Sequence, residues 1–257
     1  MLCQTKYSLT MNPTYSFGED CAMKSIIYLN NQGIRHYENC HFDKAKEFLR
    51  SAVVELNTLR EHCQHTMHDE QLCEKQFLSQ HGTPIEGWSQ PFRDPMQDDY
   101  AIMFTRAMFL KEFDCDHHFD DESRLFHLNV ATIVLLYNTS LLNHVFSDSN
   151  GQISAVADAA YHGYEEAFVI SRTMDKCSTN FSFQLQVLTL ALFNNMGVLY
   201  YNNMCRFRDA AQCFRASRKQ MNILGERLLQ QEIMTAKEVQ QLSTNLLTVP
   251  YATTPAA

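Results

Sequence analysis

Apolar residues recur at helical spacing through most of the chain. Met23, Ile26, Ile27 and Leu29 predict a helix from near Asp20, which can cap it, to about Tyr37. After a turn at Asn39-Cys40-His41, a second helix starts near Asp43. It carries Ala45, Phe48, Leu49, Ala52, Val53, Leu56 and Leu59 on one face. Residues 60–80 turn polar. Gly82, Pro84, Gly87, Pro91 and Pro95 then mark an irregular insert at about 81–120. Within it, the aromatic and apolar run Tyr100–Leu110 suits a short strand or a β-hairpin. Helical spacing resumes over about 121–146, with a loop at 147–151, and continues over 153–175, 182–203, 207–222 and 226–247. Residues 1–19 read as a flexible arm and 250–257 as a frayed tail.

One short pattern occurs three times. Leu29-Asn-Asn-Gln-Gly-Ile-Arg-His-Tyr37 and Phe193-Asn-Asn-Met-Gly-Val-Leu-Tyr-Tyr201 are the clearest pair, and Leu136-Tyr-Asn-Thr-Ser-Leu-Leu-Asn-His144 is a weaker copy. Each precedes a small–large–small signature: Ala45, Phe48/Leu49, Ala52; Ala160, Tyr164, Ala167; Ala210, Phe214, Ser217. This order resembles the tetratricopeptide repeat (TPR), a helix–turn–helix unit of about 34 residues. In that family a small residue of the first helix packs against the second helix, and Gly33, Ser140 and Gly197 stand at that place. The resemblance covers about 26–59, 132–174 and 189–222. It lacks the family's Trp, Leu and closing Pro. The copies are not in tandem, since Gly33 and Ser140 lie 107 residues apart and Ser140 and Gly197 57. The gap from the small residue to the next Ala is 12, 20 and 13 residues, so the second copy is expected to have a longer loop between its helices.

The implied fold is all-α: TPR-like antiparallel helix hairpins over 20–249 in a right-handed α-α superhelix, with the 81–120 insert holding any short β-hairpin. A helix pair alone cannot bury its apolar face, so such units stack and the last needs a cover. The stretch 226–247, with Leu228, Leu229, Ile233, Val239 and Leu242 among Gln, Glu and Lys, fits that capping role.

Asn31, Asn138 and Asn195 each lie two residues before the small residue, about 200° away around a helix. They therefore point away from the partner helix, into the groove that first helices line. Residues four before and three after share that face: Ile27 and Ile34, Val134 and Leu141, Ala191 and Val198. An Asn amide can bond both the C=O and the N–H of an extended peptide. Some members of the family use such an asparagine ladder, so the resemblance implies peptide or partner binding at these nine residues. Other members clamp a terminal carboxylate with Lys and Arg. Here Ile27, Val134 and Ala191 stand in the Lys positions, which disfavours that mode.

Composition narrows the classes. Of 257 residues 45% are apolar, with only 8 Gly and 6 Pro, which favours a folded, helix-rich protein. The net charge of −8 and the absence of a dense basic run argue against nucleic acid and anionic membranes as partners. Nine cysteines without a CxxC pair, and no apolar leader, lead us to expect reduced thiols in a soluble cytoplasmic protein. The longest apolar run, Val130–Tyr137, is far shorter than a bilayer span of roughly 20 residues. His62, Cys63, His65, His68 and Cys73 match no zinc spacing, and the acidic run with His117 and His118 at 114–122 lacks the Gly of a calcium loop. Phosphate-loop, GxSxG and HExxH motifs are missing, so no metal and no cofactor is expected. The sequence thus reads as a non-catalytic scaffold that binds an extended or helical partner segment in its groove. The alternative is a structural subunit whose groove is filled by its own segments, such as 85–113 or the tail, and which offers a surface to a larger complex. An enzyme using the acidic–His loop is a distant third.

Overall fold

The computed structural model describes residues 16–66, 85–89, 103–111, 121–150, 155–177 and 183–249. Seven helices and one two-stranded sheet appear among them: α1 (Ser16–Glu38), α2 (Phe42–Thr66), β1 (Ile85–Trp88), β2 (Met108–Leu110), α3 (Asp121–Asn150), α4 (Ala155–Cys177), α5 (Phe183–Asn202), α6 (Phe207–Gln230) and α7 (Ala236–Thr248). The protein is therefore mostly helical. Consecutive helices pair as hairpins α1–α2, α3–α4 and α5–α6, and each hairpin packs on the next through α2–α3 and α4–α5, with α7 on α6. The first expected helix begins at Ser16, inside the arm expected at 1–19, and most of residues 60–80 and of the insert lie outside the described residues.

The hairpins close through small residues. A Cβ added to Gly33 would stand 2.8 Å from Leu49 Cγ, and one added to Gly197 would stand 2.5 Å from Phe214 Cε1. In the second hairpin the same close approach brings Ser140 against Gly163, beside buried Tyr164. The turns of the first and third hairpins have a common form. Cys40 (φ 60°) and Cys205 (φ 52°) both take the left-handed conformation, and each opens the sequence Cys-basic-Phe-x-x-Ala. Ala45 N–H then bonds the His41 carbonyl at 2.9 Å, and Ala210 N–H the Arg206 carbonyl at 3.0 Å.

Two further boundaries differ from the sequence expectation. Where a longer loop was expected, the second hairpin has a longer first helix: α3 spans 30 residues and continues to Asn150, through most of the expected loop at 147–151. Helix propensity is a weak prior, which tertiary context overrides. The helix expected at 226–247 is two elements. Residues 226–230 finish α6, Glu232 takes φ 53°, and Ile233 N–H folds back to the Leu228 carbonyl at 3.0 Å. Buried Ile233 and Met234 fix this stop. Thr235 then starts α7 with a capping box: its hydroxyl accepts from Glu238 N–H, and the Glu238 carboxylate accepts from Thr235 N–H at 2.7 Å.

Helices α2, α4 and α6 keep a polar outer face. Helices α3 and α5 are buried almost all round, because another element covers the side turned away from their partners. Leu125–Phe146 of α3 is long and apolar enough to cross a membrane, with a mean hydropathy of 1.5, but 78% of it is buried inside the protein. His144 lies within this helix, fully buried against the Tyr164 ring. Burial pushes its imidazole down to about 3, so it is neutral in the fold.

This packing can be tested at two places. Gly197→Ala forces Phe214 aside and is expected to destabilise by about 1–3 kcal/mol. Gly225→Ala meets nothing within 4 Å and should stabilise by up to about 1 kcal/mol; urea denaturation of both variants checks the contrast. For His144, the unfolded chain takes up a proton below pH 6.5 whereas the folded chain does not until about 3. Stability should therefore fall with decreasing pH across that window, by on the order of 1.4 kcal/mol per pH unit from this residue. His144→Gln should remove that part of the slope, read from denaturation curves between pH 7 and 4.

Candidate functional site

The element that covers α1, α3 and α5 is a strand of the insert. Residues 103–111 run extended across the three first helices, and Met108–Leu110 pair antiparallel with Ile85–Trp88. The register is Ile85 to Leu110, Gly87 to Phe109 and Trp88 to Met108, with an irregularity between Ile85 and Gly87. Ser89 extends the pairing: its N–H donates to the Ala107 carbonyl and its hydroxyl accepts from Ala107 N–H, both at 2.8 Å. The odd-numbered residues 107 and 109 thus face β1.

The main-chain groups of residues 104, 108 and 110 face the helices. Asn195 accepts from Phe104 N–H at 2.8 Å and donates to the Phe104 carbonyl at 2.9 Å. Asn138 does the same with Met108, both at 2.9 Å. Asn31 does the same with Leu110, at 2.9 and 2.8 Å. Between the first two rungs, Tyr137 donates to the Arg106 carbonyl at 2.9 Å. Tyr37 donates to the Thr105 carbonyl at 2.8 Å. Both tyrosines are buried, and burial raises their hydroxyl pKa far above the ordinary value, so they are neutral donors. Three amides take the place of a neighbouring strand. The segment runs from the third hairpin back to the first, opposite to the order of the hairpins.

The amides are themselves held. Asn30 accepts from Asn138 at 2.9 Å and donates to Asn31 and to the Met108 carbonyl. Asn194 donates to Asn195 at 3.3 Å and accepts from Asn245 of α7 at 2.8 Å. These links fix which end of each amide is oxygen. All three ladder asparagines are buried, as are Ile27, Ile34, Val134, Leu141 and Ala191. Those five belong to one core with Phe104, Ala107, Met108 and Leu110, whereas Val198 lies in a smaller cluster with Phe214 and Val249. Trp88 closes the groove from outside, edge-on to Phe104 at 5.3 Å and to Tyr137 at 6.2 Å.

One side chain of the strand carries charge inward. Arg106, 8% exposed, places its guanidinium 3.1 Å from both carboxylate oxygens of Glu238 and 3.4 Å from the Ser89 carbonyl. Burial works against the Glu238 charge, but the bonds from Thr235 and the Arg106 guanidinium hold its carboxyl below the usual range. The same carboxylate therefore caps α7 and anchors the strand.

Asn31, Asn138 and Asn195 thus converge on one extended segment, and that segment belongs to the chain itself. Sequence reasoning missed Asn30, Tyr37, Tyr137, Asn194 and Asn245, together with Ser89, Arg106 and Glu238. The doubled asparagines Asn30-Asn31 and Asn194-Asn195 were a readable signal for two of them, and Thr235-x-x-Glu238 for the cap. Of the His–Cys group, His62, Cys63 and His65 belong to the last turns of α2, whereas His68, Cys73 and the acidic run at 114–120 lie outside the described residues. Among the described residues no group of three His, Cys, Asp or Glu is placed to hold a metal ion. Cys21, Cys40, Cys205 and Cys213, which are described, are free thiols. Comparison with known proteins gives no match, whether to a family model, a curated protein or a solved structure.

Each rung satisfies one N–H and one C=O in a dry place. Removing Asn138 takes the partner from the Met108 N–H and from the Asn30 amide oxygen, while the Met108 carbonyl keeps Asn30; each buried group so left is worth about 1–3 kcal/mol. Asn138→Ala is therefore expected to lower stability by at least about 2 kcal/mol in urea denaturation, and to speed hydrogen exchange of the Met108 amide.

Proposed function

We propose that the protein is a non-catalytic, TPR-like helical-repeat scaffold whose inner groove is kept filled by its own residues 103–111, and that it meets protein partners through its outer helices. The observation that carries this reading is the ladder, in which three asparagines each bond both polar groups of one residue of the inserted strand. The hairpins share an internal order and stack in series, which supports TPR-like units wound in a right-handed superhelix. With the groove filled, the outer helices are the faces left to a partner. Val54 of α2, Val169 of α4 and Ile223 of α6 are exposed there, at 59%, 57% and 63%. Single exposed apolar residues are common, so their weight lies in recurring on all three outer helices. The acidic net charge suits a cytoplasmic protein partner rather than nucleic acid.

Cross-linking of the tagged protein purified from cells tests this reading. Partner cross-links should fall on outer-helix lysines such as Lys44, Lys46 and Lys219, and Val54→Glu with Val169→Glu and Ile223→Glu should weaken partner retention by about tenfold or more. Cross-links confined to Lys24 and Lys111, with retention unchanged in the triple variant, would overturn it.

A further inference from the structure

The resident strand is bound as a ligand is bound. The hydrogen bonds from the ladder and the two tyrosines go to its main chain, so they ask for extended backbone and not for particular side chains. The helices contact one another in series without it. Its side chains then add a pattern: Phe104, Met108 and Leu110 are sunk in the core, and Arg106 is paired with Glu238. A strand that served only to fill space would gain little from this part-buried ion pair, in which Arg106 is 9% and Glu238 26% exposed, because apolar side chains cover such a place as well. A pair of this kind is better suited to choosing one sequence over another.

The choosing group also stands apart from the rest of the groove. Glu238 and Asn245 belong to α7, which comes after the third hairpin, and they reach the strand by two routes. One is the Glu238–Arg106 pair, and the other is Asn245 through Asn194 and Asn195 to Phe104.

We propose that the groove is a binding site for an extended peptide of the pattern aromatic-x-Arg-x-aliphatic-x-aliphatic, that residues 104–110 hold it as a resident stand-in, and that Glu238 of α7 selects the arginine. This rests on the groove being a site for extended backbone; it does not require the outer-helix contacts. Because the resident is tethered, it competes at an effective concentration of order millimolar, and a partner segment must match its pattern to displace it.

The test uses the full chain and a labelled synthetic peptide of residues 101–111, with binding read by fluorescence anisotropy. The variant Arg106→Glu sets two carboxylates face to face and frees the groove. It is expected to bind the peptide at least about tenfold more tightly than the wild-type chain does. The variant Glu238→Arg should reverse the preference and favour a peptide carrying Glu in place of the arginine, again by about tenfold. Folded variants that bind neither peptide, or both equally, overturn the proposal. A dimer formed in place of peptide binding, by exchange of the strand between copies, overturns the assignment to a partner peptide. Where a single variant fails to fold, the wild-type chain decides. Excess peptide at about millimolar concentration should speed exchange of the 104–110 amides, and unchanged exchange overturns the proposal. Outer-helix cross-links together with no peptide binding would sink this inference and leave the proposed function standing.

Discussion

An extended strand laid across helices has no neighbour to satisfy its outer edge. The fold of this protein depends on how that edge is satisfied. In a buried place every open N–H and C=O is expensive, and a helix surface offers no main-chain groups in return. Asparagine solves this because one amide end matches one residue of strand. Three such amides, spaced by the stacking of α1, α3 and α5, form a false strand made of side chains. They create a layer that is neither helix pair nor sheet, with a real strand on one edge and amides on the other.

The same arrangement explains the composition of the inner helices. Helix α5 carries apolar residues all round because its outer partner covers one side and the strand the other. Its polar residues sit where they answer main chain: Asn195 to Phe104, and Asn194 between Asn195 and α7. Helix α3 obeys the same logic with Tyr137 and Asn138. Helix α7 is then more than a cover for the last hairpin. Its first turn spends a single carboxylate on both its own cap and the strand's guanidinium, so the end of the chain and the middle of the chain share one charge.

Much of the helical frame was legible in the sequence, for physical reasons. Helical spacing locates hairpins well, and small residues such as Gly33 and Gly197 mark where two helices touch. Counting two residues back from them was enough to find the ladder positions. The occupant was legible only as one of two candidates, 85–113 or the tail. A clamp on main chain leaves no mark on the side chains it holds, so nothing in the run from Tyr100 to Leu110 singled it out. Pairings over long separations, such as Arg106 with Glu238 or Asn194 with Asn245, have no local pattern at all. The break at Glu232 was hidden because apolar spacing continues through it, although Thr235-x-x-Glu238 announced the new start.

The alternation of the strand has a consequence for how this stretch can change over generations. Residues 104, 108 and 110 turn their polar groups to the amides, and 107 and 109 turn theirs to β1. Over residues 107–110 the strand therefore keeps a reading frame of two. Replacing most side chains leaves that frame intact, whereas gaining or losing one residue between Ala107 and Leu110 inverts every group beyond the change. The segment can drift in spelling but not in length.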